Sequence, residues 1–377
     1  MEGDCVRDHC SAATTKPPSW QCGTRRRPVS GEALREIPPP IDESPIDEFG
    51  RRVDNSGIMM SSPPTAWILS EDYAGLQAQA LGLAEAAGLT PELRALVARP
   101  PWKFLPETLW PAPLAALPPG LLAPPMPDLV IGCGGMASVV GAALRRRGQR
   151  VVQVQRPSVS PDRFDLVIVN RHDELTGRNV IVTRCALHRA TPVRLAAAAE
   201  NWRERFAHLP RPLVAVLVGG SNGRFRLDAA TGGRLAGQLA EMVRRDKLGI
   251  MVTPSRRTDP SVTRLLTEAL APLGGWIWDG VGENPYFGML GLADAIIPTM
   301  DSVSMISEAA ATSAPILFAE LPGKSRRIGL FLNGLIGDGR IRRFQGRLET
   351  WNVSPIDDTA LAAAEMCSRL GLGSGAG

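Results

Sequence analysis

The polar residues Asp301, Ser302, Ser304 and Glu308 have types and a spacing that suit a phosphorylated ligand. They follow the apolar run 293–298, which is typical of a buried parallel strand, and they enter an Ala-rich segment that predicts a helix. A helix start offers unpaired N–H groups and a positive dipole end, so this turn predicts an anion site. Glu308 lies one turn beyond Ser304 on the same helix face, where a carboxylate could accept ribose hydroxyls. The alternative is that these residues only cap the helix.

Three further polar loops follow predicted strands in the same half of the sequence, and their candidate nucleotide- or phosphate-binding residues are Gly219, Gly220, Ser221, Asn222, Ser255, Arg256, Arg257 and Asn284. Arg256 and Arg257 offer forked donors to a diphosphate, although they also fit solvated charges at a helix entrance. In a doubly wound parallel sheet, ligands bind beyond the carboxyl ends of the strands. We therefore expect these loops to converge and to bind a nucleoside diphosphate group.

The first half of the chain contains two strand–turn–helix units of its own. Gly75 and Gln79 follow the first of these predicted strands, and Gly134 and Gly135 follow the other. The second loop has neither the spacing of a dinucleotide-binding fingerprint nor the Lys of a Walker loop. A strand, a Gly-rich loop and a helix permit the close approach of a ligand to the backbone.

No pair of a nucleophile and a base stands out in the sequence. His172, His188 and Asp72 are weak candidates for a catalytic base, because a lone histidine is more often a structural residue. No Asp-x-Asp motif would hold Mg²⁺, and the cysteines and histidines lack the spacing of zinc ligands. We therefore predict no metal and no cofactor.

The composition fits a chain with two globular domains. The 377 residues are 44% apolar and carry a net charge of +4, which gives no signature of nucleic-acid binding. No apolar run approaches the roughly 18 residues that cross a membrane, and the N-terminus lacks the apolar stretch of a signal peptide. These features predict a cytoplasmic location.

The alternation of short apolar strands with helices predicts an α/β chain of two Rossmann-like domains. We assign in order a disordered extension, a first Rossmann-like domain, a nucleotide-binding Rossmann-like domain, and a C-terminal helix with a tail: residues 1–63, 64–210, 211–358 and 359–377. The extension is rich in Pro and polar residues and shows no periodicity. Met59 and Met60 stand directly before the first organised segment, which favours a translation start there.

The second half resembles the carboxyl-terminal half of GT-B glycosyltransferases, in which two Rossmann-like domains face each other across a cleft. It is similar in pattern to the peptidoglycan enzyme that adds N-acetylglucosamine to a lipid-linked acceptor. The matching motifs are Gly219-Gly220-Ser221 and Ser307-Glu308-Ala309. This chain departs from that enzyme at Asp301-Ser302, where the enzyme carries Ser-Gly.

The chain is also identified as a member of the mitochondrial fission (Elongated Mitochondria) family, over about residues 67–358. The motifs that carry this resemblance include Trp67-Ile68-Leu69-Ser70, Leu187-His188-Arg189-Ala190-Thr191-Pro192, Thr253-Pro254-Ser255-Arg256-Arg257-Thr258, Gly282-Glu283-Asn284-Pro285-Tyr286, Asp301-Ser302-Val303-Ser304-Met305 and Gly339-Arg340-Ile341-Arg342. The plant member is described as recruiting a dynamin-type fission factor, whereas bacterial members look like sugar-nucleotide-dependent transferases.

The resemblance implies a transferase that moves a sugar from a nucleoside diphosphate sugar, its donor substrate, to a cell-envelope glycan or a lipid-linked acceptor. It also implies that the domain at residues 64–210 lies on the acceptor side, with the loops that carry Gly75, Gln79, Gly134 and Gly135 facing the acceptor. A nucleotide-binding scaffold without turnover and a nucleotide-sugar epimerase are the alternatives. The epimerase needs an acid–base pair that the sequence does not reveal. A basic run, Lys324-Ser325-Arg326-Arg327, raises the further hypothesis of a place on the inner membrane face, although charge runs are usually solvated.

Overall fold

A computed structural model describes residues 63–372, which form two separate parallel β-sheets of six strands each. The two Rossmann-like domains predicted from the sequence are thereby confirmed. The predicted disordered extension up to residue 62, including Met59 and Met60, lies outside the described residues, as do residues 373–377.

The first sheet is built from strands that follow one another closely along the chain: β1 (Thr65–Ser70), β2 (Thr90–Ala95), β3 (Leu129–Cys133), β4 (Val151–Val154), β5 (Leu166–Asn170) and β6 (Val180–Thr183). Their spatial order is β2-β1-β3-β4-β5-β6, and all pairs are parallel. Helices α1 (Ala74–Ala86) and α2 (Gly135–Arg145) follow β1 and β3. Because the strands are parallel, all their carboxyl ends lie at one edge.

Strand β2 was not predicted from the sequence. Its residues TPELRA are polar and largely exposed, since it is an edge strand that contacts only β1. The chain then runs through three short 3₁₀ turns, Trp102–Phe104, Glu107–Leu109 and Pro113–Ala116. The many prolines of this segment are consistent with its lack of longer helices and strands.

The second sheet also contains six parallel strands: β7 (Leu213–Val218), β8 (Gly249–Pro254), β9 (Trp276–Ile277), β10 (Ala295–Pro298), β11 (Ile316–Phe318) and β12 (Ile341–Arg343). Their order is β12-β11-β10-β7-β8-β9. The remaining helices are α3 (Pro192–Phe206), α4 (Ala229–Asp246), α5 (Pro260–Leu270), α6 (Tyr286–Leu292), α7 (Val303–Ala310), α8 (Arg326–Gly337) and α9 (Asp358–Leu370). The order places β10, β7 and β8 side by side, so the loops that follow them are neighbours.

Helices α3 and α9 each pack against the sheet formed by the other half of the chain. Helix α3 comes before β7, and its buried residues, among them Trp202 and Phe206, belong to the core of the second sheet. Helix α9 comes after β12, yet its residues Ala362 and Met366 belong to the core that includes α1 of the first sheet. The domain limits predicted at residues 210 and 358 remain predictions.

The two halves contact each other near the carboxyl ends of their strands. A Cβ atom built on Gly75, which begins the first turn of α1, would lie 3.0 Å from Oγ of Ser304 at the start of α7. The Ala186 N–H, in the segment between the sheets, donates a hydrogen bond of 2.9 Å to Oγ of Ser307 on the same helix. Helix α7 therefore touches both the first domain and the connecting segment.

None of the helices between residues 63 and 372 is long and apolar enough to cross a bilayer.

Candidate functional site

The carboxyl ends of β7, β8 and β10 bring three of the predicted loops together. These loops contain Gly219 and Gly220, then Arg257, and finally Asp301, whose carboxylate lies within hydrogen-bond reach of the other two loops. The structure therefore places these predicted residues in one cluster.

Asp301 connects this cluster through a buried carboxylate. Its Oδ1 accepts a hydrogen bond of 2.6 Å from the Thr299 hydroxyl, and its Oδ2 accepts from the Gly220 N–H and from Nη2 of Arg257, both at 3.2 Å. Its side chain is fully buried, whereas that of Arg257 is half exposed. Asp301 does not cap helix α7, because its oxygens already bind these three groups. The carboxylate instead holds the loops in place.

The positions of Gly219 and Gly220 require glycine, because atoms of Asp301 and Arg257 lie too close to admit a side chain. A Cβ atom on Gly219 would lie 2.2 Å from Oδ1 of Asp301, and one on Gly220 would lie 2.1 Å from the carbonyl oxygen of Arg257. The Gly219 N–H donates to the Thr299 hydroxyl at 2.8 Å. Both glycines thus let the backbone pack directly against the anchoring side chains.

Thr258 fixes the arginine loop against the glycine loop. Its hydroxyl donates to the carbonyl oxygen of Gly219 and accepts a hydrogen bond of 2.8 Å from the Ser255 N–H. The Ser255 hydroxyl in turn accepts from the Arg257 N–H at 3.2 Å. Arg256 has no hydrogen bond or ion pair with any residue in the range 63–372, and its side chain is exposed. The loop thus presents two guanidinium groups: that of Arg257 is held by Asp301, and that of Arg256 has no partner among residues 63–372.

Ser302 and Ser304 take different places at the start of α7. Ser302 is the N-cap residue, and its Oγ accepts a hydrogen bond from the Met305 N–H at 3.3 Å. Ser304 lies in the first turn and faces Gly75 of the first domain. The first turn of α7 thus lies at the contact between the two domains.

Glu308 is buried on α7 one turn after Ser304. The Tyr286 hydroxyl donates a hydrogen bond of 2.5 Å to its Oε2, and its Oε1 has no partner among the described residues. Burial raises the pKa of Glu308 to about 7, against a smaller lowering by the hydrogen bond from Tyr286. Burial, followed by the charge of Glu308, raises the pKa of Tyr286 well above its ordinary value. One carboxylate oxygen is therefore fixed, while the other is able to accept from a ligand.

The side chains of three other predicted residues form hydrogen bonds within their own loops. The Ser221 hydroxyl accepts from the Leu227 N–H at 2.8 Å. Oδ1 of Asn222 accepts from the Phe225 N–H, and Oδ1 of Asn284 accepts from the Tyr286 N–H at the start of α6. These hydrogen bonds shape the loops, and a role of these side chains in nucleotide binding remains a prediction.

The predicted acceptor-side loops are organised around Glu71, a residue that sequence reasoning missed. Its Oε1 accepts from the Met136 N–H at 3.0 Å, at the first turn of α2, and its Oε2 would lie 2.4 Å from a Cβ atom on Gly134. Gly134 has a φ of 108°, which favours glycine. A Cβ atom on Gly135 would lie 2.6 Å from Oε1 of Glu107.

Gln79 supports the other acceptor-side loop. Its Nε2 donates to the carbonyl oxygen of Gly75 at 3.0 Å, and its Oε1 accepts from Nε2 of Gln155 at 3.3 Å. Gln79 is buried and therefore acts on the loop that carries Gly75.

The two histidines considered as bases are buried. His172 packs edge-on against Phe331 of α8, and burial lowers its pKa to about 4, with a smaller opposing effect of Asp173. His188 is 2% exposed, and burial lowers its pKa as well. Asp72 is exposed, and its Oδ1 accepts from Nε2 of Gln77 at 3.3 Å. None of these three candidate bases contacts a residue of the Asp301 cluster, so the catalytic base remains a prediction.

The basic run at residues 324–327 is partly neutralised by the first domain. Arg326 pairs with Glu174 at 2.7 Å, and Arg327 pairs with the buried Asp173 at 2.6 Å. These ion pairs hold α8 against the segment after β5. Two cations of the basic run therefore lie at the interface between the domains.

Tyr286, Thr258 and Thr299 are the site residues in the second domain that sequence reasoning missed. All three bind a predicted residue through a hydroxyl group. Tyr286 is 22 residues from Glu308, and no periodicity links them. The sequence indicates a role for Tyr286 only through its position two residues after Asn284, in a loop at the carboxyl edge of the sheet.

Comparison with known proteins identifies relatives of this sequence. The sequence model of the family described as "Mitochondrial fission ELM1" matches residues 74–370. The chain is 32% identical over 270 residues to "Mitochondrial fission protein ELM1" of Arabidopsis thaliana, an alignment that covers 64% of this chain and only 63% of that protein. It is 24% identical over 279 residues to an uncharacterised protein of Rickettsia prowazekii (strain Madrid E), covering 63% of this chain and 78% of the relative.

Among solved structures, MurG of Acinetobacter baumannii aligns with a TM-score of 0.44 at 15% identity, over 82% of this chain and 92% of that one.

Proposed function

The chain belongs to the mitochondrial fission ELM1 family, and on that premise we propose that it is a glycosyltransferase whose second domain binds a nucleoside diphosphate sugar. The sugar is transferred to a cell-envelope glycan or a lipid-linked acceptor held by the first domain. The protein works in the cytoplasm, at the inner face of the membrane where such acceptors are exposed.

The observation that carries the proposal is the position of Glu308 relative to the Asp301 cluster. Ser302 caps α7 directly after Asp301, and Glu308 lies on the same helix with Oε1 available to a ligand. A diphosphate at the amino end of α7 and a ribose beside Glu308 would therefore be five residues apart along the helix, about 7.5 Å. This spacing suits the two parts of a nucleoside diphosphate.

The chemistry follows from the charges at the loop edge. The leaving diphosphate gains negative charge as the sugar departs, and the N–H groups of α7 together with Arg256 and Arg257 stabilise that charge. Asp301 is itself negative, so it positions Arg257 and the Gly220 backbone and does not contact phosphate. Ser304 lies at the contact with Gly75, and this contact supports an acceptor loop beside the donor.

The test is a binding measurement with UDP, GDP, ADP, dTDP and CMP by thermal shift and calorimetry. We expect one of the nucleoside diphosphates to bind, and we expect Glu308→Gln to weaken it by about tenfold, the effect of one hydrogen bond to a charged group. Glu268→Gln, which changes an exposed acid on α5 paired with Arg264, is the matched control and should leave binding unchanged. Absence of binding by all five nucleotides would contradict the proposal.

A second candidate function is a nucleotide-binding scaffold without turnover. The burial of His172 and His188, with their lowered pKa values, favours it because both rings are withdrawn from the loops. The two functions differ in product formation. Release of the nucleoside diphosphate from its sugar conjugate in the presence of membrane extract supports the transferase, and binding without release supports the scaffold.

A further inference from the structure

The first domain contains a cavity that lies away from the predicted donor and acceptor loops. Its volume is about 550 Å³, and it lies between the segment 114–126 and the carboxyl end of α2. That volume is within the range of small-molecule sites. Helix α2 has 11 residues and spans about 16 Å, so its length separates the cavity from the loop at Gly134 and Gly135.

One wall of the cavity is apolar. Leu117 and Leu144 are buried members of the first domain's core, and Leu122 packs against that core. Met126 borders the cavity and is 45% exposed, which is unusual for a side chain of its size and polarity. An aliphatic chain in the cavity would cover this surface and remove it from water.

The lining of the cavity also includes two cations without acidic partners. Arg99 and Arg147 line the cavity, and neither forms an ion pair with any residue from 63 to 372. Nearby Arg145, by contrast, is neutralised by Asp165 at 3.0 Å. Arg99 is oriented by the hydrogen bond that its Nε donates to the carbonyl oxygen of Ala115 at 3.0 Å. No Asp or Glu lines the cavity, so its charge is positive.

We propose that this cavity binds an aliphatic chain that ends in a single anionic group, with the chain against Leu117, Leu122 and Leu144 and the anion between Arg99 and Arg147. The guanidinium groups match a carboxylate or a phosphate in geometry and in charge. A nucleotide fits less well, because the apolar wall offers few partners for the polar edges of a base. The site is independent of nucleotide binding by the second domain.

Two sources could supply this chemistry, namely a free fatty acid and the acyl chain of an anionic membrane phospholipid. The experiment distinguishes them. Binding of dansyl-labelled undecanoate is followed by fluorescence, and displacement is then measured with dodecanoate and with vesicles of phosphatidylglycerol or phosphatidylcholine. Displacement by dodecanoate alone assigns the free acid, and displacement also by phosphatidylglycerol vesicles assigns the membrane lipid.

Three variants test whether the cavity is the site. Ala123→Trp places an indole at the cavity wall and should abolish saturable binding. Arg147→Glu should weaken binding by about tenfold through loss of one charge-assisted contact. Arg146→Glu makes the same charge change at a neighbouring exposed residue outside the cavity and should stay within about twofold, as expected for a distant screened charge.

Three outcomes overturn the proposal: no saturable binding to the wild type, equal weakening by Arg146→Glu and Arg147→Glu, or unchanged binding to Ala123→Trp. All three substituted residues are exposed, so the variants should fold, and their circular dichroism spectra check this. Uncharged dodecanol provides a further test, because it should displace the probe at least roughly tenfold less well than dodecanoate if the arginines recognise the anion.

Discussion

At the scale of the residue, Asp301 shows how a buried carboxylate can organise the loops of the proposed anion site without contacting the anion. Its oxygens take hydrogen bonds from Thr299, Gly220 and Arg257, which belong to three loops. The orientation of Arg257 toward a ligand therefore depends on a buried acid, and the burial of that acid depends on the absence of a side chain at Gly219.

We expect Gly219→Ala to destabilise the protein by about 2–3 kcal/mol, in the range of overpacked sites, and to abolish the nucleotide-induced thermal shift. The added methyl group would lie 2.2 Å from Oδ1 of Asp301, so the carboxylate or the backbone must move. Urea unfolding and thermal shift provide the measurement. Gly223→Ala in the same loop is the control, because its Cβ would have no atom within 4 Å. Equal behaviour of the two variants would contradict the role assigned to Asp301.

Glu308 should make the stability of the protein depend on pH. Its pKa is raised from 4.5 to about 7 in the folded protein, so the folded state holds the proton more tightly than the unfolded chain. The free energy of unfolding should therefore fall as pH rises from about 4.5 through 7, by about 3 kcal/mol from this group.

Glu308→Gln isolates this effect, because glutamine stays neutral and its amide oxygen keeps the hydrogen bond from Tyr286. We expect the variant to gain stability relative to the wild type between pH 5 and pH 8, as measured by urea unfolding. Parallel pH profiles of the two proteins would show that Glu308 titrates normally. Nucleotide binding should instead become weaker in the variant, which separates stability from function.

At the scale of the element, helix α7 is held at both of its ends. Ser302 caps its amino end, and the Arg340 side chain binds the carbonyl groups at its carboxyl end. The Arg340 side chain is 3% exposed and donates hydrogen bonds to the carbonyl oxygens of Ala309, Ala310, Thr312 and Ala314. Burial lowers its pKa to about 10, so it remains charged at neutral pH.

We expect Arg340→Met to destabilise the protein by about 3 kcal/mol, because several buried carbonyl groups lose their partners. The matched control is Arg343→Met on the adjacent strand β12. Arg343 is exposed and pairs with exposed Glu320 at 3.5 Å, so its loss should cost less than about 0.5 kcal/mol. Denaturant unfolding measures both, and a similar loss for the two variants would refute the role of Arg340.

The sequence predicts some elements of the fold far better than others. Strand β7 is the apolar run LVAVLV, and its burial on both faces makes it recognisable. Strand β2 has no such pattern, since an exposed edge strand needs few apolar residues. Helix α8 contains three glycines, which weaken its helical signal, and its packing against the first domain comes from long-range contacts. Arg340 could not be recognised, because its four acceptors are backbone atoms.

At the scale of the whole molecule, the ion pair of Arg327 with Asp173 joins the two domains across their interface. Asp173 is buried, whereas the neighbouring pair of Arg326 with Glu174 is exposed on both sides. We expect Arg327→Met to lower the free energy of unfolding by about 1–2 kcal/mol, because it leaves a buried carboxylate without its cation, and the exposure of Arg327 limits the loss. Arg326→Met should cost less than about 0.5 kcal/mol.

Differential scanning calorimetry of both variants checks this prediction. A lower Tm of Arg327→Met, with Arg326→Met unchanged, supports the interface role of the buried pair. Equal transitions in all three proteins would show that Asp173 is compensated within its own domain. Nucleotide binding should be unaffected by both substitutions, since neither arginine lies at the Asp301 cluster.

The convergence of the loops could be predicted at this scale, because parallel strands place their carboxyl ends together. The contacts between residues of different domains could not be predicted. The contact of Gly75 with Ser304 and the hydrogen bond from Ala186 to Ser307 depend on how the two sheets are placed, and no local pattern encodes that placement. The same holds for Tyr286 and Glu308, which are distant in sequence and whose side chains meet only in the tertiary structure.

Helix α9 gives the chain an order of assembly during translation. Its residues Ala362, Ala363 and Met366 complete the core around Ala80, Leu83 and Ala84 of α1, although the ribosome makes α9 after the whole second sheet. The domain that is synthesised first is therefore finished last. Until α9 emerges, the apolar face of α1 remains open to chaperones, and the second domain is able to fold ahead of the first.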